Sequence, residues 1–350
     1  MRKIVKAVTA FFLAFTLVFA AGCGIDRDTK VVLTTGFAKD EIFKIDDVSC
    51  TVPEMMVYLT NIQNQYEQVY GREIWDKDIE GVSLESNVKD NALSKLAQIK
   101  TIVLLAKQRG IVLDEKETEV VAKATDMYYD SLNSVEISEM GITRDTIYTL
   151  YSDYALAQKT YRDMIRDVNP EISDDEARTI TVQHIVFKTY AVDDDGIRVS
   201  YPDKQKQEIR KTAENIAERA KAGEDMTALA TELGIEENIT VSFGKGEVDP
   251  VLETAGFDLG TDEVSDVIET EFGYHVLKCI STFNREETDE NKLKIADKRK
   301  QEAFSEEYEV FVKTLTKALN EPLWDEISFI HDPNVTTSDF FEVYDEISSL

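Results

Sequence analysis

TEFGYHVLK, residues 270–278, places one of only three histidines in a 350-residue chain inside a short apolar strand, straight after a Phe-Gly-Tyr turn. An ionisable ring in a strand interior needs a partner, because an unpaired polar group away from water is costly. Upstream, TVQHIVFK (181–188) alternates in the same manner. It sets Val182, His184 and Val186 on one face and Gln183, Ile185 and Phe187 on the other.

Between these strands the pattern is mixed. KQKQEIRKTAENIAERAKAG (204–223) reads as a long helix closed by Gly223, and EDMTALATELG (224–234) as a short one. ITVSFGKG (239–246) gives a strand and glycine turn, PVLETAGFDLG (250–260) a short helix, and EVSDVIETEFGYHVLKCIST (263–282) a last pair of strands. The order strand, helix, helix, strand, helix, strand, strand predicts a small α+β domain with an antiparallel sheet. The acidic insertion AVDDDGIRVSYPD (191–203) lacks the alternating ligands and terminal Glu of a calcium loop, and reads as a solvated turn.

The flanks are helical. FKIDDVSCTVPEMMVYLTNI (43–62) predicts a short strand and turn, then a helix starting near Pro53. KLAQIKTIVLLAKQRG (95–110) aligns Leu96, Ile99, Val103 and Ala106 on one face and stops at Gly110, and Asp114 with Glu117 has capping-box spacing. From a Thr143 cap, Ile147, Leu150, Tyr154, Ala157, Tyr161, Met164 and Val168 form a stripe that Asn169-Pro170 ends. After residue 284 a further helix aligns Phe304, Tyr308, Phe311, Leu315 and Leu319. With no sheet of its own to cover, it is expected to pack back onto the N-terminal lobe, so that the α+β domain is an insertion.

Composition narrows the function. The formal charge is −29, which argues against nucleic acid as a partner, since phosphate binding needs clustered Lys and Arg. MRKIVK followed by the 13-residue apolar run AVTAFFLAFTLVF is too short for a membrane span, which needs ~20 residues, and fits a signal peptide. It ends at Ala20-Ala21-Gly22-Cys23, which resembles a bacterial lipobox with Ala20 where Leu is common. Cleavage before Cys23 removes three cations, giving −29 − 3 = −32 for a chain tethered outside the membrane through lipid on Cys23. Cys50 and Cys279 are read as buried thiols rather than a disulfide. The basic run KLKIADKRK (292–300) reads as a solvated helix face rather than a dock for anionic polymer.

GEDMTALA, FGKGEV and AGFDLGTDEVSDVIETEFGYHVLK, with QHIVFK ahead of them, resemble a parvulin-type peptidyl-prolyl cis-trans isomerase. With the helical flanks and the lipobox, the whole is similar to the PrsA and SurA class of extracytoplasmic foldase lipoproteins. The fold class implied is α+β: a SurA-N-like helical chaperone lobe built from the N- and C-terminal segments, with an inserted parvulin-like domain of antiparallel sheet and helices. The segments are 1–22 signal peptide, 23–36 tether, 37–170 helical chaperone lobe, 178–283 parvulin-like domain, 284–331 returning helix and 332–350 acidic tail.

The resemblance implies catalytic positions at His184, His275 and Thr270, the two imidazoles forming a hydrogen-bonded pair across adjacent strands. It implies substrate-binding positions at Val248, Leu252, Phe243, Phe257 and Phe272, and neither cofactor nor metal. Val248 and Leu252 stand where the family commonly has Met and Phe, and TELGIEENITVS (231–242) lacks the family's Gly-Asp-Leu-Gly segment and its acidic or thiol-bearing loop. The partners implied are unfolded or partly folded exported proteins at the extracytoplasmic membrane face. The alternative is a holdase with a degenerate parvulin domain, and pairing of two chains through their lobes stays open. A solute-capturing lipoprotein is disfavoured, since its two-lobed α/β alternation is missing.

Overall fold

The computed structural model describes residues 36–79, 81–193 and 197–349. The signal segment, Cys23 and the tether short of Gly36 lie outside the described residues. The chain divides into two compact units, one comprising residues to Val168 with Gln301–Leu350, the other Asn169–Lys300.

The first unit opens with β1 (Glu41–Ile45) and β2 (Val48–Thr51), which leads into helix α1 (Val52–Tyr70). A single turn of 3-10 helix and the two-residue strands β3 (Asp78–Ile79) and β4 (Val82–Ser83) follow. Then come α2 (Leu84–Arg109), α3 (Glu115–Ser131), α4 (Ser134–Met140) and α5 (Arg144–Ile165). Their ends obey local chemistry. Asp114 and Glu117 form the reciprocal capping box of α3, Thr143 caps α5, and Gly110 ends α2 in the left-handed conformation at φ 69°. The inward stripes meet in one core that includes Leu96, Ile99, Ile147, Leu150 and Tyr151.

The second unit contains β5 (Thr179–Lys188), β6 (Tyr190–Val192), β7 (Arg198–Ser200), α6 (Asp203–Lys221), α7 (Met226–Glu232) and β8 (Thr240–Gly244). It continues through α8 (Pro250–Asp258), β9 (Ile268–Thr270), β10 (Gly273–Ser281) and the first part of α9 (Arg285–Val312), within which the boundary between the units falls. The sheet order is β8-β5-β10-β9, antiparallel throughout. Ile185, Tyr274 and Val276 on one face pack with α6 and α7, while Ile180, Val182, Leu277 and Cys279 on the other pack with α8.

This unit extends beyond the 178–283 span because α9 is pinned to the sheet base. Thr288 Oγ1 accepts from the Thr179 N–H at 3.1 Å, and Asn291 Nδ2 donates to the Ala177 carbonyl at 3.0 Å. The basic run on this helix forms ion pairs, Lys292 with Asp174 and Arg299 with Glu176. Residues 191–203 are more than a turn, since β6 and β7 pair as antiparallel strands. Asp194 and Asp195 lie outside the described residues.

The return segment corrects two expectations. The helix stops at Val312, so Leu315 and Leu319 leave its stripe; Leu319 belongs to β11 (Lys317–Leu319), which pairs with β1 in a sheet of order β11-β1-β2. After α10 (Glu321–Glu326) the chain reaches α11 (Phe340–Ser348), so residues 332–350 are not a tail. Phe340 and Phe341 are fully buried, and Phe340 stacks on Tyr151 with ring centroids 4.3 Å apart. The aspartates and glutamates around FFEVYDEI mask a short amphipathic helix whose apolar face completes the core.

Polar side chains hold the approach to this helix. The Gln63 amide donates to the Ile330 carbonyl at 2.9 Å and accepts from its N–H at 3.1 Å. Glu136 Oε1 accepts from the N–H groups of Thr336 and Thr337, both at 2.8 Å. Deleting residues 332–350 is therefore expected to unfold the helical unit rather than trim it. Phe340→Ala alone should lower its stability by about 3–5 kcal/mol, the range for emptying a buried aromatic site. Urea denaturation followed by far-UV circular dichroism checks both, and an unchanged midpoint for the deletion would restore the tail.

Candidate active site

The β5–β10 ladder sets Leu277 opposite His184 and Val186 opposite His275, so the two histidines are diagonal neighbours on one face. Their rings meet: His184 Nε2 lies 2.8 Å from His275 Nδ1, with centroids 5.1 Å apart and planes inclined by 26°. Thr270, on the adjacent β9, brings its Oγ1 to 2.7 Å from His275 Nε2. The Phe272 N–H donates to the same Oγ1 at 3.1 Å and fixes the hydroxyl. Thr270, His275 and His184 thus form one hydrogen-bonded chain across three strands.

Burial sets its protonation state. His275 is 4 % exposed and His184 half-buried. Desolvation, with the second ring adding to it, holds His184 down to about 4 from the ordinary histidine value of 6.5. Desolvation also lowers His275, against the opposing field of Asp249 at the start of α8. Both imidazoles are neutral near pH 7. A single proton then lies between them, donated by either ring, and the Thr270 contact reverses accordingly.

The apolar positions divide. Phe243, Leu252, Val248 and Phe257 share one cluster on the face that carries the histidines, and Phe243 meets Phe257 edge-on at 6.1 Å. Phe243 and Leu252 are buried, whereas Val248 and Phe257 are half-buried. Helix α8 lies tight on this face: a Cβ at Gly256 would come 2.9 Å from Phe243 Cζ and 3.2 Å from Ile180 Cδ1. Phe272 is not in the cluster; its ring lies under the Arg198 guanidinium at 4.8 Å. Phe272 lies with Glu271 in the turn between β9 and β10, where the alternation of a strand no longer holds, and its ring is placed against Arg198 instead.

A cavity of about 260 Å³ lies on the other side of Thr270, lined by residues that include Tyr190, Arg198, Ser200, Lys206 and Glu271. Neither histidine lines it, nor do Val248 or Leu252. Among the described residues no group of three or more His, Cys, Asp or Glu is placed to hold a metal ion. Cys50 and Cys279 are free and buried.

The family model for the PPIC-type PPIase domain, Rotamase, matches residues 184–281, beginning at His184 and enclosing His275 and Thr270. The second unit carries a parvulin-type peptidyl-prolyl isomerase domain. The chain is also similar, at 26 % identity over 281 residues, to the foldase protein PrsA of Caldanaerobacter subterraneus subsp. tengcongensis, covering 77 % of this chain and 81 % of that one. It is 30 % identical over 131 residues to PrsA of Halalkalibacterium halodurans, covering 36 % and 39 % respectively. The crystal structure of the peptidylprolyl isomerase PrsA from Bacillus cereus aligns with 20 % identity and a TM-score of 0.37, over 77 % of this chain and 97 % of that one. The chain's own architecture is α+β, with the matched domain inside the second unit and a helical unit drawn from both ends.

The depressed His184 value has a consequence for stability. Unfolded, the ring takes a proton below about 6.5; folded, it resists until about 4. Its contribution is complete above pH 6.5 and is lost as pH falls toward 4, by about 3 kcal/mol in total. His184→Gln should flatten that part of the curve. Comparing urea midpoints of variant and wild type between pH 7 and 4 checks it, and parallel curves would mean the ring titrates alike in both states.

Proposed function

We propose that this protein is a lipid-anchored extracytoplasmic foldase that holds unfolded exported polypeptides and accelerates rotation about their X-Pro bonds. The observation supporting it above all others is the Thr270–His275–His184 chain beside an apolar sheet face within a PPIC-type domain. Anchoring through Cys23 rests on the N-terminal sequence alone. The helical unit is the candidate client-holding part.

Rotation about the amide faces a barrier of ~18–20 kcal/mol set by resonance. No bond to carbon breaks, so catalysis means binding the twisted amide better than either planar form. Val248 and Phe257, half-buried at the margin of the apolar cluster, offer the surface for a proline ring. Excluding water there favours the less polar twisted amide. The neutral imidazoles brace the floor and place a ring N–H or lone pair near the amide without bringing a charge. No group needs to form a covalent bond with the client.

A holdase reading has one observation in its favour. Leu252 and Phe243 are packed as core, and the cavity described above is not lined by them. A prolyl-peptide isomerisation assay separates the two. The isomerase reading expects acceleration over buffer and a loss of ~10-fold or more in kcat/KM for His275→Ala, with its near-UV circular dichroism unchanged. A wild-type rate equal to buffer leaves the holdase. A fully active His275→Ala protein reduces the histidines to sheet bracing.

A further inference from the structure

The end of α1 presents apolar side chains to solvent that the isomerase chemistry does not use. Its last two residues, Val69 and Tyr70, are 71 % and 64 % exposed. Tyr70 is not a loose side chain. Its ring lies 6.2 Å from that of Tyr66, which lies 5.6 Å from Trp75, which meets the buried Phe329 edge-on at 4.5 Å. Glu67 braces this row of rings, accepting from Trp75 Nε1 at 3.0 Å and from Gln63 Nε2 at 2.9 Å. Anchored tyrosine area of this kind loses little conformational entropy when a ligand covers it. The surroundings are acidic. Residues 66–85 carry six carboxylates against two cations, a net charge of −6 + 2 = −4. One of those cations, Arg72, is taken by Glu67 at 3.1 Å. Among the described residues, Glu73, Asp76 and Asp78 are exposed and stand in no ion pair. No basic residue occupies the last turn of α1, so the negative end of its dipole adds to the field.

We propose that this face is a docking surface for an unfolded client segment in which aromatic or aliphatic residues are flanked by lysine or arginine. Charge selects the occupant. A second copy docking through the same face would set Glu73, Asp76 and Asp78 against their own counterparts, and an anionic lipid surface meets the same repulsion. A cationic segment meets attraction instead. Its lysines or arginines pair with the three free carboxylates, and one of them lies on the exposed Tyr70 ring. Its apolar residues cover Val69 and Tyr70 and remove that surface from water. Neither half suffices alone: an acidic apolar segment is repelled, and a cationic polar one leaves the two side chains wet. The surface rests on the client-holding part of the foldase reading, and it names the face of the helical unit and the class of client segment.

The test uses the full chain and fluorescent peptides without proline: a Phe- and Leu-rich core with Lys flanks, the same core with Glu flanks, and a Ser-rich core with Lys flanks. By fluorescence anisotropy the first should bind ~10-fold more tightly than either of the others, the scale of one buried side chain or one charge-assisted pair. Salt at about 0.5 M should narrow its lead over the Glu-flanked peptide. A Val69→Ser, Tyr70→Ser variant should bind the first peptide ~10-fold more weakly with its circular dichroism unchanged. In a Glu73→Gln, Asp76→Asn, Asp78→Asn variant the ratio of Lys-flanked to Glu-flanked binding should fall to about 1. Equal binding of those two peptides by wild type overturns the charge selection, and equal binding of the Ser-rich one overturns the apolar half. A serine variant that binds the first peptide as wild type does overturns this face and leaves the foldase reading standing. Wild type that binds none of the peptides overturns both. A dimer in sedimentation, or retention on phosphatidylglycerol vesicles, that the serine variant loses would give the face to a second copy or to lipid, and overturns the assignment to clients.

Discussion

The register between β5 and β10 is the constraint on which the candidate site depends. Side chains alternate along a strand, so a slip of one residue would carry His275 to the α6 face and leave His184 facing apolar side chains alone. Gly273 anchors that register. It sits opposite Lys188 with φ +136°, and any Cβ there would fall 2.1 Å from the Phe187 carbonyl oxygen. Only glycine allows the backbones this closeness at the hairpin end. Gly256 does the corresponding task on the apolar face, letting α8 settle onto Phe243 and Ile180. The histidines are thus positioned by two residues that have no side chain.

The helical unit is specified differently, by buried polar groups. Lys100 is 5 % exposed and reaches both Glu54 at 2.5 Å and Asp153 at 2.7 Å. Glu54 meanwhile accepts from the Thr51 N–H at 2.7 Å, tying the start of α1 to α2 and α5. An incomplete version of this cluster would strand a charge in the core, which costs several kcal/mol, so it penalises misassembly more than it adds stability. The contacts from Gln63, Glu136 and Asn61 to residues 330–340 follow the same logic, because each satisfies main-chain groups that burial would otherwise orphan. A chain returning from a distant insertion is thereby directed to one seat.

What the sequence revealed follows from where the signal is local. Long helices with caps and stripes, such as α5 after Thr143, were legible because periodicity and capping lie within one window. The pairing of His184 with His275 was legible from the resemblance, since two alternating strands leave their partners undetermined. Strands β6, β7 and β11, three residues each, carry too few positions for alternation to register, and β11 exists only through its pairing with β1. Helix α11 was hidden because acidic residues outweigh its apolar stripe in composition, although the spacing of Phe340, Phe341, Tyr344 and Ile347 is helical. The cavity was illegible in principle: Arg198, Lys206 and Thr270 converge only through the folded hairpins.

Charge and burial oppose each other at the histidine pair, and their balance decides what it can be. Asp249 draws a proton toward His275, and the strongly negative chain does so more diffusely. Desolvation pushes the other way and prevails, since both rings lie below the ordinary histidine value. Were either ring protonated, it would become donor-only at both nitrogens. A charge would also enter a face otherwise built from Val182, Leu277 and Ile268. With both rings charged, two N–H groups would confront each other across the 2.8 Å contact and the chain from Thr270 could not persist. The apolar surroundings therefore decide the state of the pair: they keep the imidazoles uncharged, so the chain from Thr270 crosses three strands without carrying a charge into that face.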